Sequence, residues 1–307
     1  EDTGMTCEFT HQLEIWGYYT EQIAIYELLN NEKVNPDIRI QALTGLGNVY
    51  GHFSNYPYAI SFSQKSLDLS KQIGNIPSRA AALINLGIAN AGLGKFEESE
   101  SYFKEGLSIA KHADLVKEQA KTLGNLGNIY GNRRKFQQAI DYFEQSLELA
   151  HQVKDRFIEA KALGNLGNVY GYLKQYDRAE TYLEYYLRVS QDLENPSGQI
   201  IALNCLGELY RRTKQYKQAI SCLHDSLSMA RKTKELVSIG VALGNLGSVY
   251  GRMGNYPQAL TYHQEALRVT QSISDRPGIL LARVNLTLTY LALWLSKIWQ
   301  MLTQGRS

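Results

Sequence analysis

Cysteine is scarce: three in 307 residues, Cys7, Cys205 and Cys222. None of their spacings suits a disulfide framework or a metal-binding pair. The expectation is reduced thiols in a cytoplasmic protein. The six histidines, at 11, 52, 112, 151, 224 and 263, form no H-E-x-x-H or cysteine–histidine ligand set. Neither a G-x-S-x-G elbow nor a Walker loop occurs. No metal, cofactor or enzymatic activity is therefore expected. Charge is nearly balanced at +2, which excludes wholesale electrostatic capture of nucleic acid. The N-terminus lacks the basic region and apolar core of a secretory signal. It also lacks an initiator Met, and is read as the start of a fragment. The apolar run Leu291–Leu302 is shorter than the roughly twenty residues of a membrane helix and is interrupted by Lys297, so no membrane partner is expected.

What the chain has in abundance is one phrase. Ala162-Leu-Gly-Asn-Leu-Gly-Asn-Val-Tyr-Gly171 recurs every 40 residues without insertion or deletion. Its versions start at Ala42, Ala82, Thr122, Ala202, Ala242 and Ala282. A fixed period of this size marks a solenoid. The glycines resemble a dinucleotide fingerprint only at a glance. In Gly45–Gly51 the third glycine comes one residue too late for G-x-G-x-x-G, and no strand signal precedes it.

Within the unit 156–195, Leu163, Leu166, Gly167 and Tyr170 follow i, i+3, i+4, i+7, one apolar helix face. After a break at Leu173–Gln175 a second helix carries Tyr176, Ala179, Leu183 and Leu187. Each repeat thus reads as two antiparallel helices joined by a tight turn. The six prolines agree. Pro36, Pro77, Pro196 and Pro277 open first helices, and Pro57 and Pro257 open second helices, where a missing N–H costs nothing. The glycines, as at Gly164, Gly167 and Gly171, read as close-approach points that offset their poor helix propensity; a glycine floor admitting a ligand backbone is the alternative.

The order Leu, Leu-Gly, Tyr, then aromatic, Ala and Leu resembles the tetratricopeptide repeat. More narrowly, the Leu-Gly-Asn-Leu-Gly core is similar to the forty-residue variety of Pins/LGN polarity scaffolds, of kinesin light chain relatives, and of cyanobacterial signalling proteins with CHAT or STAND domains. The resemblance implies an all-α, right-handed superhelical α-solenoid of antiparallel helix pairs. Six repeats are expected at 36–75, 76–115, 116–155, 156–195, 196–235 and 236–275. Residues 1–35, with Phe9, Leu13 and Trp16 at helical spacing, read as a divergent half-repeat or capping helix. Residues 276–307 read as a partial seventh repeat followed by an apolar capping helix, whose Trp294, Leu295, Ile298 and Trp299 would favour a homodimer if exposed.

The family's usual ligand surface is the concave face lined by first helices. At about 100° per residue, Lys161, Asn165, Asn168 and Tyr172 fall opposite the apolar face. Their counterparts are Asn48 and His52, Asn85, then Lys121, Asn125, Asn128 and Asn132, and further on Arg212, Asn245 and Arg252. Asparagine is an indifferent helix former, but its amide both donates and accepts, which suits it to an extended peptide backbone. Lys121, Lys161, Arg212 and Arg252 would add a preference for an acidic partner. The bland alternative is that these amides are solvated or bridge neighbouring helices. The family's chaperone-tail clamp is matched by Asn48, Asn85 and Lys121, while Thr44 and Asn125 stand where a lysine and an arginine belong. The expected function is a non-enzymatic protein–protein interaction scaffold that binds a peptide or protein segment. The second reading is a sensor module that switches an attached effector. A third, a phosphatase like the Rap regulators of bacilli, needs a three-helix bundle before the repeats, for which 35 residues leave too little room.

Overall fold

The computed structural model describes residues 19–304 except Ser274. The expected helix positions Phe9, Leu13 and Trp16, together with Cys7 and His11, lie outside the described residues. The described chain is helical from end to end. In order come α1 Tyr19–Leu29, α2 Pro36–His52, α3 Tyr56–Ile73, α4 Ile76–Gly92, α5 Phe96–His112, α6 Val116–Asn132 and α7 Phe136–Gln152. Then follow α8 Arg156–Tyr172, α9 Tyr176–Asp192, α10 Pro196–Arg212, α11 Tyr216–Thr233, α12 Leu236–Arg252, α13 Tyr256–Ser272 and α14 Arg276–Gln304. The chain divides into two compact units, 1–162 and 163–307, with the division inside α8.

Local chemistry explains the boundaries. All six prolines sit at the first or second helical position. Several helices begin at an asparagine whose side chain accepts from the first turn: Asn35 from the Asp37 N–H at 2.9 Å, Asn75 from Ser78 at 3.0 Å and Asn195 from Gly198 at 3.2 Å. Helices end by one device repeated every 20 residues, a single left-handed residue. Ser54, Gly74, Gly94, Asp114, Arg134, Lys154, Lys174, Glu194, Lys214, Lys234 and Gly254 all have φ between 49° and 80°. At Lys174 the turn closes with Lys174 N–H to Gly171 O at 3.2 Å and Gln175 N–H to Tyr170 O at 2.9 Å, the paired bonds of a Schellman motif.

The core of each repeat is the seam between its two helices. Leu43, Leu46, Leu83, Leu86, Leu126, Leu166, Leu243 and Leu246 are buried. The signature tyrosine stacks on the aromatic twelve residues later: Tyr50 on Phe62 at 5.5 Å, Tyr170 on Tyr182 at 5.4 Å and Tyr250 on Tyr262 at 5.4 Å. The second glycine of the phrase is a close-approach point, as expected. A Cβ added to Gly127 would lie 2.5 Å from the Phe143 ring, and one on Gly167 would lie 2.7 Å from Leu183.

The C-terminal segment departs from expectation. No break separates the seventh first helix from a capping helix; α14 runs unbroken from Arg276 to Gln304. The left-handed place of the turn, filled by Lys214 and Gly254 in preceding repeats, falls on Trp294, and bulky side chains resist positive φ. The positions that receive a second helix have changed as well: Arg283 stands for the leucine of Leu243, and Thr287 for Gly247. The result, Arg276–Met301, is long and apolar enough to cross a membrane, and only 11 % of its most apolar window is buried.

Candidate functional site: the polar stripe of the first helices

In the first unit the stripe lies on α2, α4, α6 and the start of α8. Asn48 is exposed on α2. Asn85, half-buried on α4, donates weakly to the Thr44 carbonyl at 3.4 Å, so this amide bridges neighbouring repeats. Thr44 in turn shares a hydrogen bond with Ser66 at 2.8 Å. On α6, Lys121 and Asn128 are exposed and Asn125 is half-buried. Asn125 and Asn128, three residues apart on one face, make no hydrogen bond to the described protein. Lys117 is neutralised by Asp155 at 2.8 Å; Lys121 and Lys161 have no acidic partner among the described residues. Crowding of the Lys121 ammonium by protein, followed by repulsion from Lys117, holds its pKa below the usual lysine value, and Lys161 adds to the repulsion.

In the second unit, described by itself, a stripe lies on α8, α10 and α12. Asn165 is half-buried, and Asn168 and Tyr172 are exposed on α8. The Tyr172 ring carries the Arg212 guanidinium at 5.5 Å. Arg212, expected to add a preference for an acidic partner, already has an acid of its own. It donates to Glu208 at 2.8 Å, and Glu208 also accepts two bonds from Arg211 at 2.7 Å. Burial alone would raise the Glu208 carboxyl; the Arg211 and Arg212 hydrogen bonds outweigh it and lower the pKa. Cys205 sits where other repeats have asparagine, beside Asn168. Burial pushes its thiol up to about 11, so it is a protonated, weakly reactive group. On α12, Asn245 is half-buried and Arg252 exposed, without an ion-paired acid among the described residues.

The repeat thus brings Lys121, Asn125 and Asn128 onto one exposed face, with Lys161 near enough to be felt by Lys121, and sets Asn165, Asn168, Tyr172 and Arg212 together in the second unit. Sequence reasoning missed Glu208 as a member of the stripe. The signal was available: 208 is 40 residues after Asn168.

The tetratricopeptide repeat pattern matches residues 39–112, 118–192, 198–272 and 238–293. The chain belongs to the tetratricopeptide repeat family. It is accordingly a protein–protein interaction module. No curated protein matches it. Three solved structures share the fold at low identity. RapI in its apo form has a TM-score of 0.68 at 12% identity, over 90% of this chain and 100% of that one. The apo quorum sensor NprR from B. thuringiensis has 0.65 at 16%, over 94% and 82%. A STAND protein with a tetratricopeptide repeat sensor, PH0952 from Pyrococcus horikoshii, has 0.65 at 16%, over 91% of this chain and 44% of that one.

Proposed function

We propose that this tetratricopeptide repeat protein captures an extended peptide segment bearing carboxylates along the polar stripe of its first helices. The observation that carries the reading is the cluster on α6. There, Asn125 and Asn128 present amides that the protein leaves unbonded, beside Lys121 and Lys161 with no acidic partner. Amides of this kind pair with a backbone whatever its side chains. The exposed Lys121 ammonium, crowded by Lys117 and Lys161, gains when a carboxylate arrives. Within the second unit, the Asn165 and Asn168 amides offer the same chemistry. Arg212, stacked on Tyr172 and held by Glu208, contributes orientation more than charge.

A second reading, a sensor in which capture switches an attached effector, is favoured by the fold shared with a quorum sensor and with a sensor-bearing STAND protein. In both readings binding is the primary event and the protein acts in the cytoplasm without catalysing a reaction. Selection from a displayed library of random peptides tests this. Acidic peptides should be enriched, and replacing Asn125, Asn128, Asn165 and Asn168 together by Ala should abolish their binding while helicity and melting stay nearly unchanged. Undiminished binding by the fourfold variant, or no enrichment at all, would sink the assignment.

A further inference from the structure

The exposed face of α14 has no role in the polar stripe. Leu280, Leu281, Val284, Leu288, Leu291, Leu295 and Trp299 are all 46–69 % exposed. At about 100° and 1.5 Å per residue, Leu280, Val284, Leu288, Leu291 and Leu295 fall within about 80° of one another, an apolar stripe about 22 Å long. The opposite side of α14, through Ala282 and Thr289, is buried, and the helix packs on α13 and α12. Its buried contacts thus run through Ala282 and Thr289, with the apolar side bare.

Charge selects the occupant. From Arg276 to Gln304 there is no acidic residue. The three cations, Arg276, Arg283 and Lys297, fall within about 60° of one another along one edge of the stripe, an edge they share with Tyr290 and Trp294. A second copy fits this poorly. In an antiparallel pair centred on Tyr290, Arg283 of one helix would meet Lys297 of the other, and in a parallel pair each cation would meet its own copy. An anionic lipid surface fits at every point: acyl chains for the leucine stripe, headgroups for the cation edge, and the interfacial level for tyrosine and tryptophan. Crossing the bilayer would strip α14 from α13 and α12, whereas lying in the surface leaves that packing intact.

We propose that α14 docks the protein on anionic membranes, apolar stripe inward. Flotation of the full chain with phosphatidylcholine vesicles, with and without phosphatidylserine, tests it, together with tryptophan emission. The chain should float only with the anionic vesicles, with a blue-shifted emission, and high salt should release it. Arg283→Glu with Lys297→Glu, both at exposed positions, should weaken binding at least about tenfold with unchanged circular dichroism. Leu288→Asp with Leu295→Asp should abolish it. Equal flotation with neutral vesicles, or full binding by the charge-reversed protein, would overturn the proposal. So would absence of flotation with light scattering showing a dimer that Leu288→Asp dissolves; the face would then belong to a second copy.

Discussion

His263 shows how much a single position in the repeat decides. It occupies the place of Phe103, Phe143, Leu183 and Leu223, is 3 % exposed, and packs its ring against Gly247. Its Nδ1 has no hydrogen-bond partner. Burial lowers its pKa below the ordinary imidazole value, so the folded protein holds it neutral. Above an unfolded-state pKa of about 6.5 the group is neutral in both states and its titration contributes nothing. As pH falls through that value the unfolded chain takes up a proton that the folded chain resists, and stability is lost progressively. We expect His263→Leu to raise the melting temperature more at pH 5 than at pH 8; equal shifts at the two pH values would show that packing alone matters. Other residue-scale pairings are matters of size. Ile84 faces Gly106, and a Cβ added to Gly164 would lie 3.0 Å from the Tyr186 ring. Each position read alone looks like scatter in the repeat; only contact shows that large answers small.

The helix is the scale at which the pattern was most readable. Leucine and tyrosine at 3.6-residue spacing mark the buried faces, and proline and asparagine mark the starts. The ends were harder, because the residue that turns the chain is glycine at only three of the eleven left-handed positions. Serine, aspartate, glutamate, arginine and lysine occupy the rest, and lysine carries no turn signal. Those residues are held at positive φ by the Schellman bonds and by packing of the next helix. Relieving that strain should stabilise the protein: Lys174→Gly should add about 1 kcal/mol in urea unfolding, whereas a loss would show that the lysine side chain makes an offsetting contact. The same reasoning explains α14, where a tryptophan in the turning position leaves the helix to continue.

For the whole molecule, the consequence of a repeat is locality. Within each unit, helices touch those one or two places away in sequence, as α2 touches α3 and α4, so stability is a sum of repeat terms and neighbour terms. Gly127→Ala, which forces a methyl against the Phe143 ring at 2.5 Å, should therefore act regionally. Amide exchange should accelerate in α6, α7 and their immediate neighbours and stay unchanged in α12 and α13. Uniform acceleration along the chain would indicate a single cooperative unit instead. The candidate site follows the same rule. The stripe was legible because asparagine recurs where a helix has no use for it. The roles of several members were not, because they depend on partners 38 or 40 residues away: Asp155 for Lys117 rather than for Lys121, and Tyr172 beneath Arg212.

By itself the sequence determined the family, the period, the helix pairs and the set of side chains left over once the core was built. Those follow from local physics: 3.6-residue periodicity, proline at first turns and glycine at close approaches. Only the tertiary structure decided which cations are already neutralised, which asparagines are spent on bridging repeats, and that α14 runs on with a bare apolar face. The Lys117–Asp155 pair and the Asn85 bridge depend on what lies across a helix seam, and a linear chain does not state that distance.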